Sequence, residues 1–348
     1  MQKLLVCFLL ISSMIGLSQN DSPVIFQVTP ACETTPVESP DDGADDPCIW
    51  VPSHNVEGTV IVGTDKKFGL ETYGLNGQKL NRFGFGNINN VDINPNFFAP
   101  NEAGVRSSAL VIGTNRSTHS IDFFSLEETG VLELIHREII GQEMGDLYGL
   151  CTFSVSGVHY FVASDKDGRI LRASYSASDG QNETIVINNS DTFSLGSTVE
   201  GLVADPERQT LYIAEEDLGI WAYPLTVDQK TPPSLILSTN SDLLVADIEG
   251  LTLYDKGSGA GYLLCSIQGA NSYGVLDRQS QKLLGVFKIV GQDEIDGAEE
   301  TDGIDVTSKA LPGFPQGIFI VQDGFNDVQK QNFKFVNWAD IETHLQNK

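Results

Sequence analysis

The chain has few basic residues for its number of acidic ones. Its 348 residues include 47 Asp and Glu but only 21 Lys and Arg, and the formal net charge is -26. A surface of this charge repels the phosphate backbone, so the composition argues against a nucleic-acid partner. It suits a soluble exported protein or one that collects cations.

Long apolar segments are also scarce. Leu4–Leu17 is too short to span a membrane, and no later segment approaches the length of about 18 apolar residues that a span requires. Because Lys3 precedes this stretch and Ser18-Gln19-Asn20 follows it, residues 1–20 have the pattern of a secretory signal. We therefore expect a protein without a membrane span, secreted to the extracellular space or the periplasm, with one domain over residues 21–348.

Motifs for zinc, redox and nucleotide chemistry are missing. The five His residues form no His-x-x-x-His pair, no Cys-x-x-Cys is present, and there is no phosphate-binding loop, nucleophile elbow or dinucleotide fingerprint. Cys7 lies within the signal. The other cysteines, whose pairing the sequence leaves open, are Cys32, Cys48, Cys151 and Cys265.

A pattern of short strands occurs six times along the chain. An apolar strand opens on polar residues, and the next apolar strand closes on polar residues before a third strand follows. The openings are Asp45-Asp46-Pro47, Asn89-Asn90-Val91-Asp92, Leu147-Tyr148-Gly149-Leu150, Glu200-Gly201-Leu202, Asp247-Ile248-Glu249-Gly250-Leu251 and Thr301-Asp302-Gly303-Ile304. The closings are Thr64-Asp65-Lys66-Lys67, Thr114-Asn115-Arg116, Ser164-Asp165-Lys166-Asp167, Ala214-Glu215-Glu216-Asp217, Ser266-Ile267-Gln268-Gly269 and Val321-Gln322-Asp323-Gly324.

The spacing of these units predicts an all-β fold, a six-bladed β-propeller. The period is about 50 residues, which with three or four strands per unit is typical of a propeller blade. Little chain follows the third strand of unit six, so we expect Val24–Val28 to complete that blade and close the ring. Residues 338–348 are the best candidate for a helix. A pair of stacked β-sandwiches is the alternative architecture.

The charges at the openings and closings are segregated by sign. Units one to three contribute the cations Lys66, Lys67, Arg116 and Lys166. Units four to six contribute the acids Glu200, Glu215, Glu216, Asp247, Glu249 and Asp302, next to Asp45 and Asp46 of unit one. Oxygen-only ligands favour Ca²⁺ over Zn²⁺, whereas Lys and Arg suit phosphate. The alternative reading is that propeller rims carry charged turns without a specific role.

The openings of units one, two, four, five and six and the closing of unit four resemble motifs of the β-propeller (alkaline) phytases. The likeness keeps the order of these motifs and runs from about Glu33 to Trp338. Membership would imply an enzyme of the 3-phytase type, a Ca²⁺-dependent hydrolase of the phosphomonoesters of myo-inositol hexakisphosphate. Several calcium ions would line a cleavage site, where a water held between them attacks phosphorus, and an adjacent affinity site would bind a second phosphate. The substrate would be phytate or calcium-phytate, and the protein is expected to be a monomer.

The resemblance also implies roles for individual residues. The ligands of the cleavage-site calcium ions would be Asp46, Tyr148, Glu200, Glu216, Asp247, Glu249 and Asp302, of which Tyr148, Glu200 and Glu216 would act in catalysis together with Lys66. The residues that hold the phosphates would be Lys66, Lys67, Asn89, Arg116 and Lys166. Glu33 would be a ligand beside the mouth, and a structural calcium would be bound by Asp296, Asp323 and Asn326.

One departure from the family and two rival functions are left open. The family commonly has a Lys in the hairpin where this chain has Ser154-Val155-Ser156-Gly157, which leaves the strength of the affinity site in question. A calcium-dependent propeller lactonase or organophosphate hydrolase would need few phosphate-binding lysines. A secreted, non-catalytic binding propeller would use calcium for stability alone.

Overall fold

A computed structural model describes residues 22–98, 107–178, 184–226, 232–241, 243–326 and 329–346. Within these ranges the chain forms 25 strands, one α-helix and two short 3-10 turns, Val56–Gly58 and Gln268–Ala270. The expected secretory signal lies outside the described residues. The prediction of an all-β fold is confirmed.

The strands form six sheets, and each sheet is one blade. The innermost strands are β3 (Ala44–Trp50), β7 (Ile88–Asn94), β11 (Leu147–Val155), β15 (Val199–Asp205), β19 (Ile248–Gly257) and β23 (Ile304–Thr307). Each contacts the innermost strand of the next blade, and β23 contacts β3, so the sheets close into a ring. The predicted six-bladed propeller is therefore confirmed.

The remaining strands follow in order outward from the axis. The second strands are β4 (Val60–Asp65), β8 (Ser108–Asn115), β12 (Val158–Asp165), β16 (Thr210–Glu215), β20 (Ala260–Ile267) and β24 (Ile318–Asp323). The third strands are β5 (Gly69–Gly74), β9 (Ser120–Glu127), β13 (Arg169–Ala177), β17 (Gly219–Pro224), β21 (Ser272–Asp277) and β25 (Asn332–Asn337). The outermost strands are β6 (Lys79–Phe83), β10 (Leu132–Ile139), β14 (Ile185–Ser194), β18 (Ser234–Ser238), β22 (Leu283–Ile289) and β2 (Cys32–Glu33).

The strand that completes the sixth blade is not the predicted one. Strand β1 (Val24–Val28) pairs in parallel with β22 and adds a fifth strand to the fifth blade. Its side chains explain this position, because Phe26 and Val28 are buried in a cluster with Phe287 of that blade. The outer place in the sixth blade is taken by β2, which pairs with β25. The expectation that Val24–Val28 fills the sixth blade was wrong.

The C-terminal helix α1 (Trp338–Leu345) confirms the helix expected there. The side chain of Asn337 caps it by accepting a hydrogen bond from the amide of Ala339. Trp338 is fully buried and stacks on Tyr254 of the fifth blade, with ring centroids 3.8 Å apart. The helix thus covers the junction between the fifth and sixth blades. No helix in the described parts of the chain has the length and apolar character needed to cross a membrane.

The four cysteines that follow the expected signal are all free thiols in the structure. Cys48, Cys151 and Cys265 are buried, and Cys32 is half-buried in β2. The described blades are therefore held together by packing and hydrogen bonds, without a crosslink among these cysteines.

The packing of β1 predicts a difference between two adjacent substitutions. Phe26→Ala should lower the free energy of unfolding by about 3–5 kcal/mol, because it empties a space between Phe287 and the helix. Ile25→Ala, the matched control, should have little effect because Ile25 is 71% exposed. Chemical denaturation would measure both. Equal effects would contradict the assigned position of β1.

Candidate active site

The polar ends of the first and second strands meet at one face of the ring. The register pairs Ala44 with Asp65 in the first blade, and in the next four blades the first residue of the innermost strand likewise pairs with the last residue of its neighbour. In the sixth blade Ile304 pairs with Val321, two residues before β24 ends. These ends surround a cleft of about 610 Å³. Among the residues expected to act, those lining it are Lys66, Lys67, Asn89, Arg116, Tyr148, Lys166, Glu249 and Asp302.

The site residues of the first five blades lie in β-bulges. Directly after the first pair of each innermost strand, two residues face a single residue of the second strand. The bulged pairs are Asp45-Asp46, Asn89-Asn90, Tyr148-Gly149, Glu200-Gly201 and Glu249-Gly250. Since a bulge bends its strand and redirects its side chains, it turns the first side chain of each pair toward the mouth.

The glycines that follow the site residues permit a close approach between blades. A β-carbon on Gly149 would lie 1.8 Å from the carbonyl oxygen of Glu200, and one on Gly201 would lie 2.0 Å from that of Glu249. Gly250 faces the carbonyl of Asp302 in the same way. A side chain at any of these positions would force neighbouring site residues apart.

Hydroxyl groups of the second strands hold the bulges in place. Ser164 Oγ accepts a hydrogen bond from the amide of Gly149 at 2.9 Å and donates to the carbonyl of Val199 at 2.6 Å. Ser266 makes the same two contacts, with the amide of Gly250 and the carbonyl of Asp302. Each hydroxyl therefore connects the bulge of its own blade to the next blade.

Three glutamates form the core of the acidic half. Glu200, Glu216 and Glu249 each offer an oxygen, and these oxygens lie within 4.8 Å of one another. One buried oxygen of each carboxylate has no hydrogen-bond partner among the described residues. Burial, followed by the charge of Asp247, raises the pKa of Glu216 to about 7. Burial and neighbouring carboxylates also raise the pKa of Glu200 and of Glu249.

Asp302 and Asp247 adjoin this cluster. Asp302 precedes β23 and accepts hydrogen bonds from Lys66 and from the side chain of Gln268. Its pKa is raised by burial and by the charge of Asp45. Asp247 precedes β19, and its charge acts on Glu216. Both residues therefore lie beside the acidic side of the mouth.

The structure separates the two neighbouring aspartates of the first blade. Asp45 faces the cleft, because its carboxylate accepts from Lys66 Nζ at 2.8 Å and from Asn89 Nδ2 at 2.9 Å. Asp46 instead borders the narrow channel along the axis and accepts from the amide of Val91 at 3.0 Å. Sequence reasoning chose Asp46 as a ligand and gave Asp45 no role. The doublet Asp45-Asp46 at an opening was the available signal.

The cations line the same cleft as the acids and are mostly paired. Lys66 contacts Asp42 and Asp45, each at 2.8 Å. Lys67 donates to the carbonyl of Pro40. The remaining cations are Arg116, which contacts Asp146 and Asn89, and Lys166, whose Nζ lies 4.5 Å from the centre of the Tyr148 ring. Lys66 keeps its charge, since burial alone would lower its pKa but the facing aspartates raise it.

The residues expected to bind a structural calcium surround an ammonium group. Lys334 is fully buried, and its Nζ contacts the side-chain oxygens of Glu33, Asp296, Asp323 and Asn326. Glu33 thus belongs to this cluster rather than to the mouth. An ammonium and a metal ion cannot share one position, so the point on which these oxygens converge does not fit a calcium ion while Lys334 lies there.

The hairpin that lacks the expected lysine lies far from the mouth. Leu147 pairs with Asp165 at the cleft end of the third blade, whereas Val155 pairs with Val158 at the other end. Ser154 there bonds to His159. A residue in this hairpin cannot reach a phosphate in the cleft, so the question about the affinity site raised by the missing lysine does not apply.

Comparisons with known proteins agree with this geometry. The phytase family model matches residues 2–348. A 3-phytase of Bacillus subtilis (strain 168) is 37% identical over 333 residues, which cover 92% of this chain and 86% of the relative. The fold and site define a propeller hydrolase of phosphoric monoesters. The chain belongs to the phytase family.

The contacts between bulges predict the effect of one added methyl group. Gly201→Ala should abolish most of the activity, because its β-carbon would collide with the carbonyl of Glu249. Gly74→Ala, at the end of β5, is the control, since the nearest atom to its β-carbon lies 3.2 Å away in a flexible side chain. Phosphate release by the two purified variants checks this. Full activity of Gly201→Ala would contradict the close approach.

The raised pKa values predict how stability depends on pH when divalent cations are chelated. The folded state holds the proton of Glu216 up to about 7, whereas an unperturbed glutamate releases it near 4.5. Raising the pH across this interval therefore favours the unfolded state. In the presence of a chelator, the melting temperature should fall as the pH is raised from about 4.5 to about 7. Glu216→Gln should reduce the slope, and an unchanged slope would contradict the assignment.

Proposed function

We propose that this protein is a calcium-dependent phytase that hydrolyses the phosphomonoesters of myo-inositol hexakisphosphate. The observation that supports this most directly is the cluster of Glu200, Glu216 and Glu249, each with an unpartnered oxygen, beside a cleft that Glu249 lines together with four cations. Carboxylates so close together need a counter-charge, and phosphate groups need cations. A phosphorylated ligand with divalent cations satisfies both halves at once.

The residues present at the acidic side fit calcium. The donors are all oxygens, and the unpartnered carboxylate oxygens are available to a cation. The residues that would hold calcium are Glu200, Glu216, Glu249, Asp247, Asp302 and Tyr148. Of the two aspartates of the first blade, Asp45 lies closer to the cleft than Asp46 and would be the one to contribute. When bound, calcium supplies positive charge to the phosphoryl group and orients the attacking water.

The cationic side would bind and orient the phosphates. Lys66 and Lys166 extend from turns on either side of Asn89 and Arg116, so more than one phosphate group can contact a cation. This arrangement supports a cleavage site with an affinity site beside it. The phenol of Tyr148 stays protonated at neutral pH, because burial and the charge of Glu200 raise its pKa. It can therefore donate a hydrogen bond at the boundary between the two halves.

We also propose that the protein acts after export. The signal pattern in residues 1–20 supports this. Millimolar calcium and the surface charge of -26 are compatible with such a setting, where a cleft that needs calcium would be filled.

The rival functions fit the site less well. A lactonase or organophosphate hydrolase of the propeller type would leave Lys66, Lys67, Arg116 and Lys166 without a role. A binding propeller that uses calcium for stability alone fits less well with a chain that is 37% identical to a 3-phytase. It would show calcium-dependent melting without phosphate release.

Phosphate release from phytate, with and without a calcium chelator, tests the proposal. The wild-type protein should release phosphate only with calcium, and re-added calcium should restore activity. Lys66→Ala or Glu200→Gln should lower kcat/KM about a hundredfold or more, since each removes a group at the centre of the site. Absence of calcium-dependent release would overturn the proposal.

Two variants outside the cleft serve as controls in the same assay. Lys309→Ala removes a lysine that donates to the carbonyl of Val51, and Glu133→Gln changes an exposed residue of β10. Both should retain the wild-type rate and melt near the wild-type temperature. Equal losses in the control variants would show that the assay reports folding and not the site.

A further inference from the structure

Asp146 lies behind Arg116 at the edge of the cleft. Its carboxylate accepts from Arg116 Nε at 2.8 Å and from Arg116 Nη2, so the two groups form a bidentate pair. Arg116 lines the cleft, whereas Asp146 is not part of the lining. The carboxylate therefore engages Nε and Nη2 of the guanidinium, and Nη1 lies outside this pair.

This pair begins a chain of hydrogen bonds that crosses to the acidic cluster. Arg116 Nη1 donates to Asn89 Oδ1 at 3.3 Å, and Asn89 Nδ2 donates to Glu200 Oε1 at 2.9 Å. The carbonyl of Asp146 also accepts from the amide of Lys166 at 3.1 Å. Asp146 is thus bonded to two of the cations expected to hold phosphate, and it lies two residues before Tyr148.

The contribution of this pair to folding is small. The side chains of Arg116 and Asp146 are 32% and 46% exposed, and exposed ion pairs contribute little to stability. Holding a long side chain in one orientation has a larger effect on binding, because the entropy of ordering that chain no longer opposes the ligand. The Arg116–Asp146 pair is therefore expected to affect the binding of a ligand more than the stability of the fold.

We propose that Asp146 is a positioning residue, which holds the guanidinium of Arg116 ready for a substrate phosphate. This inference rests on the proposed function for the identity of the substrate. The alternative role is the opposite one, in which the Asp146 carboxylate competes with phosphate for Arg116 and weakens binding. The two roles predict opposite changes when the charge of Asp146 is removed.

Steady-state kinetics of Asp146→Asn on phytate distinguish the two roles. We expect KM to rise about two- to tenfold, the range expected when one long side chain must be ordered on binding, with kcat changed less than twofold. Asp146→Glu keeps the charge and the paired oxygens and should recover most of the wild-type KM. An unchanged or lowered KM in Asp146→Asn would overturn the proposal.

Asp167→Asn is the matched control. Asp167 also pairs with an arginine, Arg169, in a turn near the mouth, and it is 73% exposed. Its substitution removes the same charge without contact to Arg116, so KM should stay at the wild-type value. In an Arg116→Ala background, Asp146→Asn should have no further effect on KM. A further rise there would overturn the proposal, because it would show a role independent of Arg116.

Binding of inorganic phosphate in the presence of calcium separates this inference from the proposed function. Titration calorimetry should show weaker phosphate binding by Asp146→Asn than by the wild type, with equal melting temperatures. If the wild type releases no phosphate from phytate, the proposed function fails, while the titration still tests Asp146. Equal phosphate affinity in the two proteins would overturn the inference alone.

Discussion

At the open face of the ring, the backbone of one site residue occupies the space that a side chain of the neighbouring blade would need. The carbonyl of Glu200 lies against Gly149, and the carbonyl of Glu249 lies against Gly201. Because these contacts link successive blades, the distances between Tyr148, Glu200 and Glu249 are set by main-chain packing and not by flexible side chains. The hydroxyls of Ser164 and Ser266 fix the same junctions through hydrogen bonds. The site therefore depends on the ring being closed.

The electrostatics of the mouth follow from this rigid frame. The frame places three glutamates close together although their charges repel, and burial increases the free energy of the ionised forms. Other buried acids are neutralised by protein cations, as Asp205 is by Arg278, or accept several hydrogen bonds, as Glu215 does. At the mouth, Lys66 forms an ion pair with Asp45. The glutamate cluster has no ion pair with a lysine or arginine among the described residues. This contrast distinguishes the site from ordinary charged turns.

The blade number, the face that carries the site and most of the lining residues could be predicted from the sequence, because strand polarity repeats six times. Three features could not. The strand Cys32–Glu33 is too short to show a period, so Val24–Val28 was assigned its place. The alternation of side chains fails within a bulge, so the sequence could not tell which of Asp45 and Asp46 faces the cleft. Lys334 lies in a strand pattern, and its burial depends on acids that are distant in sequence.

The pairing of β2 with β25 has a consequence for how the chain reaches this structure. Asn332 bonds to Glu33 across 299 residues of sequence, and Lys334 bonds to the same carboxylate. The last blade thus needs two segments that are far apart in sequence, so it cannot form during synthesis until residues 332–337 have emerged. Contacts of such long range slow folding. Until β25 pairs with β2, the ring formed by the first five blades stays open on one side.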